Sequence, residues 1–299
     1  MQTLRFRLLK DRLTGRLMLV FTMLSLLLVV GMCVGLYIKS APILHEHSLG
    51  ELLSASSWKP LKNQFGFFPF IMGTLWVTGI AVLIALPVSL LMAIYLMEYA
   101  HSRVRRYVYP LLDILAGIPS VIYGVWGTLV IVPFIATHIA PRFAHGPSSG
   151  YTVLASGVVL SVMILPLLVS LFIELFANVS DELRESSMAL GATPWQTTKF
   201  VVLRKTIAGI VASVVLAISR ALGETVAVLM VCGNLPQAPR SLLDACYPIP
   251  ALIANNYGEM LSQPLYEAAL MFAAFILFFV VLVFNLGSRM MLRRMSKTA

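Results

Sequence analysis

Six long apolar stretches dominate the chain, separated by shorter polar segments. They run Leu17–Ile38, Phe67–Met97, Tyr107–Ala136, Tyr151–Phe176, Thr206–Cys232 and Tyr266–Arg289. About 20 helical residues cross the roughly 30 Å of hydrocarbon in a bilayer, so each stretch is long enough. The pattern predicts an all-α membrane protein with six transmembrane helices. The second and third stretches exceed one span, so they tilt, break or run past the bilayer. Pro87 and Pro119 lie within them, and the lost backbone donor at each predicts a kink. The first stretch has 22 residues, against about 7–15 for a signal-peptide core. Lys39-Ser40-Ala41-Pro42 is a poor cleavage site, so the stretch is read as a retained helix.

Composition supports this picture. The chain is 59% hydrophobic and 12% charged, with a mean hydropathy of +0.88. That balance excludes a disordered chain, and it excludes an ordinary soluble enzyme, which could not shield so much apolar surface. The net charge of +9 would suit a nucleic-acid partner, but its distribution points elsewhere. Sixteen cations fall in the termini and in the second-to-third and fourth-to-fifth loops: Arg5, Arg7, Lys10, Arg12, Arg16, Arg103, Arg105, Arg106, Arg184, Lys199, Arg204, Lys205, Arg289, Arg293, Arg294 and Lys297. Only five, Lys39, Lys59, Lys62, Arg142 and Arg240, fall in the alternate loops. The asymmetry predicts that both termini are cytoplasmic and that the basic balance is topology, with the lipid bilayer and not nucleic acid as the surroundings.

Three charges sit where a membrane should be. Arg220 lies near the middle of the fifth stretch, with Glu224 four residues on. On a continuous helix the two share one face and can reach each other. A central Arg costs about 2.5–3.5 kcal/mol on insertion scales, so such residues face a cavity or a partner. Two readings are open. The pair can lock helices together as a neutralised unit. Alternatively it lines a pathway, where the guanidinium fork meets an oxyanion at two points and Glu224 limits how tightly the anion is held. Gly223 would let another backbone approach, and Ser219 precedes the arginine. Asp113, early in the third stretch, either pairs with Arg105 or Arg106 or joins the pathway. Ser120 and Tyr123, just after Pro119, could add hydroxyls at a kink.

Other patterns carry less. Gly31 and Gly35 make a GxxxG spacing that permits close helix packing. Gly146-Pro147-Ser148-Ser149-Gly150 matches a nucleophile-elbow string but lacks its strand–turn–helix setting. His45 and His47 flank Glu46 in an external loop and read as solvated. Cys33, Cys232 and Cys246 show neither metal-ligand spacing nor a stapling framework, so neither a metal site nor a disulfide is expected. No phosphate loop and no HExxH string occurs, so the chain is read as a non-enzyme with no cofactor of its own.

The fourth-to-fifth loop, residues 178–205, reads as two short helices. Ser180 or Asp181 caps the first and acids fill its first turn. Gly191 suits a left-handed stop, and Thr193-Pro194 restarts a helix. Glu185-Ser186-Ser187, three residues, Gly191, nine residues and then Val201-Val202-Leu203-Arg204 resembles the signature loop of permeases of binding-protein-dependent ABC importers. That signature is Glu-Ala-Ala, three residues, Gly, nine residues and Ile-x-Leu-Pro. Here serines replace both alanines and Arg204 replaces the proline. Gly73–Thr78 with Ala85-Leu86-Pro87, the Ala116–Gly124 run and Ser219–Thr225 are similar, in order and spacing, to the phosphate-specific PstC-type branch of that family. The similarity extends from about Phe67 to the C-terminus.

The resemblance implies a type I ABC importer permease fold. It divides the chain into an amino-terminal segment with the first helix and external loop (1–66), a transmembrane core (67–289) and a cytoplasmic tail (290–299). It implies an inorganic phosphate importer in a bacterial inner membrane, with Arg220 and Glu224 in the substrate pathway. Glu185, Ser186, Ser187, Gly191 and Ala192 would dock on the ATPase. The implied partners are a second, PstA-like permease, two copies of an ATPase that binds ATP and Mg, and an external phosphate-binding protein. The external segments 39–66 and 233–264 would receive that binding protein. Competing expectations are a permease for sulfate or tungstate, an ion-coupled secondary transporter using Asp113 and Glu224 as proton carriers, and a hydrolase built on Ser148.

Overall fold

A computed structural model describes residues 2–143, 149–258 and 264–298, with the side chains of 2–9, 12 and 291–298 set aside. Gly146, Pro147 and Ser148 of the glycine-bounded string lie outside the described residues. Among the described residues, six helices are long and apolar enough to cross a membrane: Leu13–Glu46, Phe68–Tyr99, Ser120–Phe143, Val153–Ala177, Pro194–Leu222 and Pro264–Met290.

The elements follow in order. Helix α1 (Gln2–Glu46) leads to a short α2 (Leu49–Ser54) and a two-stranded antiparallel hairpin, β1 (Trp58–Lys59) and β2 (Gln64–Phe65), with Trp58 opposite Phe65. Helix α3 (Phe68–Ile94) then crosses and ends in a wider i→i+5 turn, Tyr95–Tyr99. It stays helical through Pro87. Next come α4 (Ser102–Gly117), α5 (Ser120–Phe143), α6 (Val153–Ala177) and α7 (Asp181–Ala189). The chain finishes with α8 (Pro194–Leu222), α9 (Val226–Leu229), α10 (Ile249–Asn256) and α11 (Pro264–Thr298).

Two expected spans are corrected. The third starts at Ser120, not Tyr107, because Tyr107–Gly117 belongs to α4. That helix interleaves Arg103, Arg105, Arg106 and Asp113 with apolar residues, and Leu112 is its one buried side chain, so it is amphipathic rather than spanning. It ends where Pro119 forces Ile118 into an extended conformation, φ −67° and ψ 127°, as a residue before proline prefers. The fifth span runs Pro194–Leu222 rather than Thr206–Cys232. It begins inside the projecting loop and stops at Gly223, so Cys232 sits in a connecting segment.

The core forms where α3 lies along α6. Val77, Ile80, Ala81 and Ala85 of α3 pack with Val159, Leu160, Ile164, Leu168 and Phe172 of α6. Small side chains on α3 let the two helices approach closely. Helix α8 closes this core through Ala217 and Ala221. A second apolar cluster caps the end of the bundle bearing the β-hairpin. There Trp58 meets Phe65, Phe67, Phe70 and Tyr266 at ring-centroid distances of 4.9–6.0 Å, in the tilted and edge-on geometries aromatic pairs favour. The Ile249 backbone N–H donates to Thr74 Oγ1 at 2.9 Å and ties α10 to α3.

Helix α1 is held at one end only. Ser40 and Ile43 are buried, Tyr37 packs on Phe275, and Lys39 pairs with Glu267 at 3.4 Å. Its apolar side chains from Leu13 to Ile38 are exposed, save for the half-buried Cys33 and Leu36. A Cβ on Gly31 or Gly35 would meet nothing within 4 Å, so the GxxxG face has no helix against it among the described residues.

Candidate substrate pathway and coupling hairpin

The break between α4 and α5 opens a cavity of ≈ 260 Å³ against the end of α8. Ser120 and Tyr123 line it from α5, Met163 from α6, and Arg220 and Glu224 from the end of α8 and the turn beyond. Four of the six expected pathway residues therefore share one cavity. Proline 119 makes this possible by interrupting the helix and turning the first residues of α5 toward α8. Gly124 allows the close approach: a Cβ there would come within 2.7 Å of Met230 Sδ and 3.2 Å of Ala227 Cα.

Each polar group has a distinct state. Tyr123 is 6% exposed, and its hydroxyl donates to the Leu115 carbonyl at 2.7 Å. It thus joins the Ile118 N–H, which donates to the same carbonyl at 3.3 Å, and braces the break. Ser120 Oγ is uncommitted among the described residues. Arg220 is exposed on the cavity wall and makes no ion pair among the described residues.

The expected contact between Arg220 and Glu224 is absent, for a geometric reason. The i,i+4 relation needs a continuous helix, but α8 ends at Leu222 with Gly223 as its cap. Glu224 Oε1 instead accepts from the Ala227 backbone N–H at 3.3 Å, at the start of α9, where a carboxylate satisfies an open donor. No other helix approaches Gly223 closely; a Cβ there would meet only the carbonyl oxygens of Arg220 and Ser219, at 3.8 and 3.9 Å.

The other two expected residues lie elsewhere. Ser219 turns toward α11, donating to the Val215 carbonyl at 2.9 Å, with its Oγ 3.2 Å from Asn285 Oδ1. It clasps two helices rather than lining the cavity. Asp113 is exposed on α4, off the cavity, with no ion pair among the described residues. Arg105, offered as its partner, donates to the Met97 carbonyl at 2.7 Å.

The 178–205 loop is a helix–turn–helix, as expected. Gly191 has φ +85°, a conformation that side chains disfavour, and its N–H donates to the Met188 carbonyl at 2.9 Å. Thr193 and Gln196 form a reciprocal capping box, with Pro194 at the first helical position, which restarts the helix sharply. Ser187 Oγ lies 2.9 Å from Thr197 Oγ1 and latches the two helices. Glu185, Ser186 and Gly191 are exposed and Ala192 is partly so. Leu190 is 90% exposed at the tip and Trp195 half exposed beside it, an apolar knob of the kind that seats in a partner.

A residue the sequence did not single out joins this hairpin to the core. Arg184 bonds Glu98 Oε1 through Nε at 3.3 Å and Nη2 at 3.2 Å. It also donates to the carbonyls of Val179 and Phe176, at 2.6 and 2.7 Å, and to Asp181 Oδ1 at 3.0 Å. Its side chain is 15% exposed and that of Glu98 12%. One guanidinium thus binds the ends of α3 and α6 to the first turn of α7.

Six spans, a charged cavity at a helix break and a projecting helical hairpin define a multi-pass membrane protein built to carry a polar solute. The family model described as "Binding-protein-dependent transport system inner membrane component" matches residues 85–297. The chain belongs to that family. It is 38% identical over 256 residues to the phosphate transport system permease protein PstC of Xylella fastidiosa, spanning 81% of this chain and 78% of that one. It is 34% identical over 291 residues to the PstC of Haemophilus influenzae, spanning 93% and 91%. Among solved structures, a chain of the inward-facing MetNI methionine ABC transporter superposes with a TM-score of 0.61 at 18% identity, covering 80% of this chain and 99% of that one. That likeness bears out the type I importer permease fold.

Proposed function

We propose that this chain is a permease subunit of an ATP-driven inorganic phosphate importer, forming half of its translocation pathway. The observation that carries the reading is the Arg220 guanidinium, unpaired among the described residues, on a cavity wall that it shares with Ser120 and Glu224, in a chain whose relatives are named phosphate transport permeases. A membrane arginine without a counter-ion is costly unless water or a passing anion compensates it. Its planar fork suits two-point contact with a tetrahedral oxyanion. Glu224, held on the backbone of α9, would repel the anion enough to keep Arg220 from trapping it. A site that must release its ion binds it only moderately.

The 178–205 hairpin would take the stroke of a partner ATPase through Glu185, Ser186, Ser187, Gly191 and Ala192, with Arg184 passing it to α3 and α6. In this reading two ATPase copies bind ATP and Mg, a second PstA-like permease completes the pathway, and an external phosphate-binding protein delivers the anion to the face carrying 39–66 and 233–264. The assembly would sit in a bacterial inner membrane. A secondary transporter with Asp113 and Glu224 as paired proton carriers is disfavoured, because Asp113 does not line the cavity.

Radiolabelled phosphate uptake by the assembled importer, with sulfate and tungstate as competitors, tests the substrate. Uptake that needs the ATPase and resists both competitors supports phosphate. Equal competition by sulfate would reassign the anion, and uptake without the ATPase would overturn the coupling.

A further inference from the structure

We infer that Cys232 and Cys246 form a disulfide that closes the loop between α9 and α10 on the face away from the cationic loops. Sequence spacing gave no hint of it, since Cys232 falls in an apolar run and Cys246 in a connecting segment, without a paired framework. The backbone brings them together: the Cys246 N–H donates to the Cys232 carbonyl at 2.9 Å, and Gly233 bridges Cys246 in parallel register. A direct backbone hydrogen bond keeps two Cα atoms within about 6–7 Å, the span a disulfide bridges. Both side chains are fully buried and stand as neighbouring thiols that perturb each other's protonation. Cys232 Sγ also reaches Asn234 Oδ1 at 3.0 Å. The shared contact holds the Cys232 thiol below its ordinary value and, with burial, pushes Cys246 above it.

Compartment favours the bond. The distribution of Lys and Arg places this loop outside the cytoplasm, where disulfides form and persist. The ring from 232 to 246 supplies Gly233, Asn234, Leu235 and Ala245 to a cavity of ≈ 310 Å³ beside Tyr151. A cross-link would fix that wall in place. Each thiol loses its proton, the two electrons pass to the disulfide of an extracytoplasmic thiol–disulfide oxidant, and that oxidant leaves as a dithiol. Because both sulfurs are buried in the finished fold, exchange precedes closure of the loop. The inference rests on topology and is independent of which anion is carried.

The full-length chain, isolated without reductant, is unfolded in detergent with N-ethylmaleimide, then reduced and alkylated with a second reagent. The expected result is one maleimide, on Cys33, and the second label on Cys232 and Cys246. Trypsin cuts at Arg240, between the pair, so their peptides should stay joined until reduction. Three maleimides on the unreduced chain, with the two peptides separate, would overturn the proposal, as would a link to Cys33. In a Cys33→Ser variant the unreduced chain should take up no maleimide; two would overturn it equally.

Discussion

Arg220 and Arg184 show how one side chain type serves two ends. Arg184 has its donors engaged by Glu98, Asp181 and two helix-end carbonyls, whereas Arg220 has none engaged among the described residues. A nearly buried guanidinium that is fully paired positions elements; one left unpaired at a cavity is available to a ligand. Removing one partner of a buried pair leaves the other uncompensated, at about 3–5 kcal/mol. Arg184→Ala should therefore lower stability by roughly 3 kcal/mol, read as a fall in the unfolding temperature in detergent. Glu98→Gln, which keeps a hydrogen-bonding oxygen, should cost less. If Arg184→Ala melts like the unaltered chain, the staple is not structural. The sequence made Arg220 conspicuous because a mid-span charge is rare. It could not reveal Arg184, whose partner Glu98 lies 86 positions away, nor the absent Arg220–Glu224 contact, which turns on a helix ending two residues earlier than the pairing needs.

At the scale of elements, local stop signals were legible and tertiary ones were not. Gly191 and Thr193-Pro194 marked the hairpin because each acts through its own backbone. The separation of α4 from α5 was hidden, since 107–136 reads as one overlong apolar stretch with a kink and only the interleaved charges betray an amphipathic helix. Pro119, read as a kink, turns out to end one helix and open the next. Gly191→Val should force a branched side chain into a left-handed conformation, at about 1–2 kcal/mol. Uptake should fall at least severalfold while membrane insertion, followed by expression level, is unchanged. Unaltered uptake would mean that the turn tolerates reshaping. Ser187→Ala removes the 2.9 Å latch to Thr197 and should destabilise the chain by about 1 kcal/mol, measured by thermal unfolding.

For the whole molecule, the charge distribution and the fold make one joint claim about sidedness. The hairpin tip at Leu190, 90% exposed, and Leu61 beyond the first helix, 83% exposed, stand at opposite ends of the bundle. In otherwise cysteine-free chains, a membrane-impermeant maleimide should label Leu61→Cys from outside intact cells and Leu190→Cys only after the membrane is opened. Labelling in the reverse order would invert the topology. The bundle also leaves most of α1 and one side of the cavity uncovered, as a half-pathway awaiting a second permease does. Arg220 is exposed on that open side, and one chain's sequence carries no information about what would face it.

Uptake by the assembled importer carrying Arg220→Ala tests the central claim most directly, with co-purification of the other subunits as the control for assembly. Losing two charge-assisted hydrogen bonds to the anion, roughly 3 kcal/mol, should reduce phosphate uptake by about 100-fold while assembly is retained. Full uptake by that variant, with the complex intact, would contradict the account.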